Sequence, residues 1–346
     1  MKLLEYIKQG KTYIIAEMSA NHAGSLQKAK EIIHAAKEAG ADCIKLQTYT
    51  ADTITIDCDN QYFHIDNGTW KGENLYQLYK KAYTPWEWHT GLKELADKIG
   101  IDIFSTPFDK TSVDFLEETG MEFYKIASFE LVDIPLIEYV AKKKKPIIMS
   151  TGMGSLEEIM EAVGTVKGYG NCLVLLKCSS AYPAITDSMG LNTMVDMQKR
   201  FGCPVGLSDH SMGTLGAVAA VSMGAAVIEK HFCLDRKVKS PDSVFSMESQ
   251  EFKRMVKDIR AVEKAKGVVS YEPSVQEKDN VVFRKSIFAV KDICTGEVLT
   301  DENIRVIRPG YGIKPKYWNE VLGKKVNRPV ERGMPLSFDM LDGGSF

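Results

Sequence analysis

The chain reads as an α/β protein built on a closed (β/α)8 TIM barrel, followed by a small β-rich C-terminal domain. Three observations predict this. Short β-rich apolar runs alternate with helical patterns eight times, as successive βα units around a parallel sheet require. Nearly every run ends on polar residues, as strands do at the face of a barrel that carries its active site. No GxGxxG stands at the first strand-to-helix turn, so the open doubly wound dinucleotide fold has little support.

The runs, in order, are YIIAEMS from Tyr13, CIKLQT from Cys43, IDIFSTPF from Ile101, EFYKIAS from Glu122, PIIMSTG from Pro146, LVLLKCSS from Leu173, PVGLSDH from Pro204 and AVIEKHF from Ala226. Helical segments lie between them. SLQKAKEIIHAAKEAG, from Ser25, has an N-cap serine, apolar residues at helical spacing and a terminating Gly40. After a helix ending near Lys266, VVSYEPSVQEKDN is polar and lacks a sustained period, which reads as a linker. The expected division is therefore a barrel over 1–267, a linker over 268–282 and a second domain over 283–346. The last contains strand candidates SIFAV and RVIRP broken by Gly and Pro, notably in IRPGYGIKP.

Composition narrows the partner. A chain of 346 residues that is 44% hydrophobic can bury a full-sized core. Forty-four basic and forty-six acidic residues give a formal charge of -2, with no electrostatic footprint for nucleic acid or an acidic membrane. A small molecule is the expected partner. The seven Cys have no CxxC spacing and lie mostly in apolar runs, so they read as reduced thiols of a cytoplasmic protein. Charges interrupt MKLLEYIKQGK too early for a signal-peptide core. The longest nearly apolar stretch, Gly216 to Ile228, falls short of the roughly 17 residues a spanning helix needs.

The strand ends supply the candidate chemistry. They offer Glu17; Lys45 and Gln47; Thr106; Lys125, Ser128 and Glu130; Ser150; Ser180 and Tyr182; Ser208 and His210; and Glu229 and His231. His210 and His231 end neighbouring strands. Two imidazoles there either share a divalent cation or serve as separate hydrogen-bonded histidines. Asp242, in the following loop, could complete an N/O ligand set of the kind that suits manganese. Lys45 and Lys125 interrupt apolar strands, where a charge needs a partner. That partner is either an anionic ligand cradled with nearby hydroxyls or a strand carboxylate such as Glu17 or Glu130. Lys142 to Lys145 close a helix before Pro146 and read as a solvated helix end. The segment WKGENLYQLYKKAYTPWEW, from Trp70, could wall a sugar pocket, although Tyr76 and Tyr79 with Leu75 and Leu78 form an ordinary amphipathic stripe.

Taken together, IIAEMSANHAGS, IKLQTY, STPFD, KIASFE, MSTGM, GLSDHSMG and EKHF resemble, in this order, the sialic acid synthase family. The tail, FRKSIFAVKDICTGEVLTDENIRVIRPGYGIKP followed by LGKKVNRPVERGMPL, resembles the antifreeze-like, or SAF, domain that closes those enzymes. The resemblance implies a metal-dependent transferase that forms a C–C bond between phosphoenolpyruvate and an acetamido sugar. It implies a domain-swapped homodimer whose small domain covers the partner's site. His210 and His231 would be the metal ligands, Mn2+ the ion, with Mg2+ or Co2+ as alternatives. Lys45, Thr106, Lys125, Ser128, Ser150, Ser180 and Ser208 would bind phosphoenolpyruvate. Glu17, Gln47, Tyr182 and Asp242 would handle the sugar or the water, and Arg284 would reach the partner's site. The family often has Asn where Ser180 stands.

Within the family, AEMSANH, LYKKAYTPWEWH and SPDSVFSMES resemble the pseudaminic acid branch. Its substrate, 2,4-diacetamido-2,4,6-trideoxy-L-altrose, lacks a hydroxyl, so a more apolar pocket is expected. Ala23, where relatives often carry Asn or Glu, departs from the pattern. The competing expectations are an N-acetylneuraminate or legionaminate synthase, a pyruvate-dependent lyase working through a lysine Schiff base, and a non-enzymatic sugar-binding protein.

Overall fold

The computed structural model describes residues 2–343. The chain divides into two compact units, Met1–Gly267 and Val268–Phe346. In the first, eight strands pair in parallel in chain order: β1 (Tyr13–Glu17), β2 (Cys43–Thr48), β3 (Asp102–Pro107), β4 (Tyr124–Ile126), β5 (Ile147–Ser150), β6 (Leu173–Cys178), β7 (Val205–Asp209) and β8 (Val227–Cys233). Pairing of β1 with β8, from Tyr13↔Val227 to Glu17↔His231, closes the barrel. Every predicted run contains a strand. A further two-residue strand, β9 (Met247–Glu248), adds in parallel to β8.

Alternation along the strands sorts side chains into two sets. Ile14, Ala16, Ile44, Leu46, Leu207 and Ile228 face outward and join the main core under the helices. Tyr13, Ile15, Cys43, Phe104, Phe123, Ile148, Val174, Leu176 and Val227 form a separate cluster inside the barrel. Gly206 makes room there, since a Cβ would meet Val227 O at 2.1 Å and Leu176 Cδ2 at 2.8 Å. The helix Lys2–Lys8 caps this cluster with Leu3, Tyr6 and Ile7. Continuing the same parity toward the strand ends gives Glu17, Lys45, Lys125, Ser150, Ser208, Glu229 and His231. The interior thus passes from hydrocarbon to charge along its length.

The helix expected from Ser25 spans Leu26–Glu38, and the Ser25 hydroxyl accepts from Lys28 N at 3.3 Å. Lys142 to Lys145 are more than a solvated end. Lys142 pairs with Glu138, Lys143 with Asp114 and Lys145 with Glu117, and the three lie over the rings of Tyr169, Tyr139 and Tyr124 respectively. No helix among the described residues is long and apolar enough to cross a membrane.

In the second unit, β10 (Ser286–Ala289) runs antiparallel to β11 (Ile304–Ile307). Ile287, Leu299, Ile304, Val321, Val326 and Leu336 form its core. The stretch expected as linker contains a helical turn, Val275–Lys278, capped by Ser274 and Glu277. Four residues are too few to leave a period in the sequence.

Candidate active site

The strand register brings four charged side chains into one buried layer. Lys45 Nζ lies 3.1 Å from Glu17 Oε2 and 2.9 Å from Glu229 Oε1. Gln47 Nε2 donates to Glu17 Oε1 at 3.0 Å, and the Ser208 hydroxyl to Glu229 Oε1 at 3.4 Å. Lys125 Nζ donates to Ser150 Oγ at 2.6 Å and to its neighbour's carbonyl at Ile126 at 3.0 Å. Burial pushes Glu17 up, against the opposing pull of Lys45. Burial acts the same way on Glu229, but Lys125 and Lys45 outweigh it and hold that carboxyl down. Lys45 loses by burial and gains more from its two carboxylates, so it stays firmly protonated. Lys125 lacks such a close carboxylate, and burial brings it down to about 8. It is the cation of the layer with most to gain from an incoming anion.

Hydroxyls gather beside Lys125. Gly152 N donates to Ser128 Oγ at 3.1 Å, and a Cβ at Gly152 would come within 2.7 Å of Ser128 Oγ and 2.2 Å of Ser180 Oγ. Only glycine lets Ser128 and Ser180 approach one another here. On the neighbouring strands β2 and β3 Lys45 Nζ reaches Thr106 Oγ1 at 3.4 Å. Two ammonium groups and a set of hydroxyls suit a ligand with phosphate and carboxylate ends.

The histidines lie together at the strand tips, ring centroids 5.4 Å apart. His210 Nδ1 bonds to Ser179 O at 3.0 Å, which leaves Nε2 as its free nitrogen. Burial, then the His210 ring, hold His231 well below the usual imidazole range, and its buried Nδ1 has no hydrogen-bond partner among the described residues. An unpartnered buried nitrogen on a neutral ring, facing a second imidazole, fits a divalent cation with N/O ligands. Among the described residues no group of three or more His, Cys, Asp or Glu is placed to hold a metal. The Asp242 carboxylate instead accepts from the Ser19 hydroxyl and from Ala20 N at 3.3 Å. Any further ligands would come from water or substrate.

Aromatic rings surround the pair. Tyr182 lies 4.3 Å from His210 and 5.0 Å from Phe245, which is itself 5.0 Å from His231. Trp70 packs on Tyr182 at 5.4 Å, and its indole N–H donates to Pro241 O at 2.9 Å. The neighbouring Thr69 hydroxyl donates to Tyr182 O. Tyr76 and Tyr79 do not share this place: Tyr76 bonds Asp52, and Tyr79 packs on Tyr49. Part of the aromatic segment therefore walls the site, and the rest is packing.

Of the residues singled out from the sequence, Glu17, Lys45, Gln47, Thr106, Lys125, Ser128, Ser150, Ser180, Tyr182, Ser208, His210 and His231 converge on this end of the barrel. Arg284 lies in the second unit, where it is exposed. Of the two partners expected for the strand lysines, a carboxylate is what Lys45 meets, in Glu17 and Glu229, whereas Lys125 donates only to neutral oxygens. Glu229, offered by its strand end, receives no role from the sequence alone; its even spacing from His231 puts it on the interior face, where it pairs with Lys45.

A model described as NeuB family matches residues 32–271, and a SAF domain model matches 284–342. A pseudaminic acid synthase from Campylobacter jejuni is 45% identical over 97% of this chain and 98% of its own. An N,N'-diacetyllegionaminic acid synthase from Legionella pneumophila is 38% identical over 95% of this chain and 94% of its own. The crystal structure of an N-acetylneuraminic acid synthetase from Leptospira borgpetersenii, in complex with citrate, superposes with a TM-score of 0.70 at 32% identity, covering 78% of this chain and 90% of that one.

Proposed function

Because the chain belongs to the NeuB family, we propose that it condenses phosphoenolpyruvate with 2,4-diacetamido-2,4,6-trideoxy-L-altrose, releasing phosphate and forming pseudaminic acid. The observation that carries the chemistry is the buried lysine, carboxylate and hydroxyl layer beneath two facing histidines. The choice of sugar is supported by the 45% identity to a pseudaminic acid synthase, against 38% to the legionaminic acid enzyme. The aromatic collar of Trp70, Tyr182 and Phe245 suits a deoxygenated sugar.

Lys45 and Lys125 hold the anionic groups of phosphoenolpyruvate, and Thr106, Ser128, Ser150, Ser180 and Ser208 complete its hydrogen bonds. Tyr182 and Asp242 border the sugar, and Gln47 orients Glu17. The enol carbon attacks the sugar aldehyde to form the new C–C bond, and the aldehyde oxygen takes up a proton. Water adds to the electron-poor carbon that remains, losing its proton to Glu17. The adduct then breaks its carbon–oxygen bond, phosphate leaves with the bonding electrons, and the hydroxyl proton is lost to give the ketone. His210 and His231 would hold a divalent ion, Mn2+ or alternatively Mg2+ or Co2+, which when bound supplies a Lewis acid for the aldehyde. The preorganised cations contribute several kcal/mol to such a reaction in a site closed to water.

Closure comes in this reading from a second copy. Met153, Leu156, Ile185, Met212, Leu215 and Val244 are exposed apolar residues on the loops and first helical turns that follow β5 to β8, an unusual surface for a monomer. A partner's second unit, bringing Arg284, would cover them in a domain-swapped homodimer. The test is phosphate release from phosphoenolpyruvate with a panel of acetamido sugars. Release with the 6-deoxy diacetamido altrose is expected; release only with N-acetylmannosamine, or with none of them, would refute the assignment.

A further inference from the structure

Behind the two histidines lies a second buried ion pair. Asp209 and Lys230 are direct cross-strand partners on β7 and β8, and each immediately precedes a histidine, His210 and His231. By strand alternation they share the outward parity of Leu207 and Ile228, away from the barrel interior. Lys230 Nζ lies 2.7 Å from Asp209 Oδ2 and donates to Ser211 O at 2.6 Å. Asp209 Oδ1 accepts from Ser211 N at 2.9 Å and from its hydroxyl at 2.6 Å. Gly216 presses on the same place: a Cβ there would meet Asp209 Oδ2 at 3.1 Å and Met189 Cε at 2.1 Å. Neither charged side chain is more than 1% exposed.

Such a pair is poor evidence of stabilisation, because desolvating both charges generally offsets their attraction, and an apolar pair of similar volume often does as well. What it does supply is connection. Asp209 and Ser211 bracket His210 in the chain, and both are tied to Lys230, the residue before His231. On the remaining sides His210 is held by Ala184 N, which donates to its carbonyl at 3.0 Å, and by Ser179 O on its ring.

We propose that the Asp209–Lys230 pair is a positioning device that sets the separation and orientation of His210 and His231, and through them the affinity for a divalent cation. The proposal rests on reading those histidines as a cation site. It is tested by comparing the wild-type chain with the Asp209→Val, Lys230→Met double variant, using thermal unfolding without metal and Mn2+ titration followed by EPR of the free ion, with no substrate present. The expected result is a metal-free melting temperature within about 4 °C of wild type or above it, with Mn2+ binding weakened by about 10- to 100-fold. A purely structural role moves the melting temperature and leaves the affinity alone. A folded double variant that binds Mn2+ as tightly as wild type overturns the proposal. If the double variant does not fold, Ser211→Ala carries the test: weakening of about threefold or more supports the proposal, and unchanged affinity overturns it. A wild-type chain that takes up no Mn2+ refutes the cation site itself, and that outcome is read in the wild-type arm alone.

Discussion

Lys125 and Lys45 share a layer but differ in what surrounds them. Lys45 is neutralised in advance by Glu17 and Glu229, whereas Lys125 is held near 8 by burial and touches neutral oxygens. Since its charged form prevails below that value and fades above it, the Michaelis constant for phosphoenolpyruvate should rise as pH passes about 8. Lys125→Met, which removes a charge-assisted hydrogen bond, should raise that constant at least about tenfold. Steady-state kinetics in both substrates is the measurement, and equal effects on phosphoenolpyruvate and sugar would contradict the assignment. Chelation by EDTA should abolish turnover and added Mn2+ restore it; full activity in metal-free buffer would remove the histidines from that role. Both lysines could be read from the sequence because a charge within an apolar strand demands an explanation. Glu229 was visible at its strand end, but its pairing with Lys45, like that of Asp209 with Lys230, was not, because each depends on which residue lies opposite in the closed barrel.

At the scale of elements, the eight strands were legible because a short apolar run with polar residues at its end, repeated between helical patterns, survives in one dimension. The excursion between β2 and the helix His89–Ile99 was legible only as an aromatic segment that could wall a pocket or pack a helix, since it is the fold that sets Trp70 on Tyr182 and Pro241 and leaves Tyr76 and Tyr79 elsewhere. Trp70→Ala should raise the sugar's Michaelis constant by roughly tenfold, the worth of one aromatic contact, and leave that of phosphoenolpyruvate nearly unchanged. Loss of both would mean that the excursion supports the whole site. The root of the excursion holds two buried histidines. His22 bonds Thr84 and packs on Trp88, and His89 bonds Thr48. Burial brings each down to about 4. Both are neutral in the fold, whereas the unfolded chain takes up their protons below about 6.5. The stability each histidine contributes is therefore complete above 6.5 and declines as pH falls toward 4, by up to about 3 kcal/mol for each. Urea unfolding of the wild type against His22→Gln and His89→Gln at several pH values checks this, and a difference that stays constant between 6.5 and 4 would refute it.

At the scale of the whole molecule, the test concerns which chain supplies Arg284. Arg284→Ala should fold and dimerise yet lose sugar turnover. Mixed in equal amounts with His210→Ala and allowed to exchange subunits, it should recover up to about a quarter of wild-type activity, because about half the dimers are mixed and each then holds one working site of two. No recovery despite proven exchange would place the arginine's action within its own chain or nowhere. The two-domain plan could be read from the sequence through the break in periodicity after Lys266, but an assembly cannot be read from one chain's patterning.

The plug that the helix Lys2–Lys8 sets in one end of the barrel bears on traffic. A vessel stoppered at its base has a single doorway, and its contents must queue. The lysines lie within the strands, and the aromatic collar stands on loops beyond the strand ends, so on the proposed assignment the enolpyruvate would board first and the sugar would then block its exit, last in being first out.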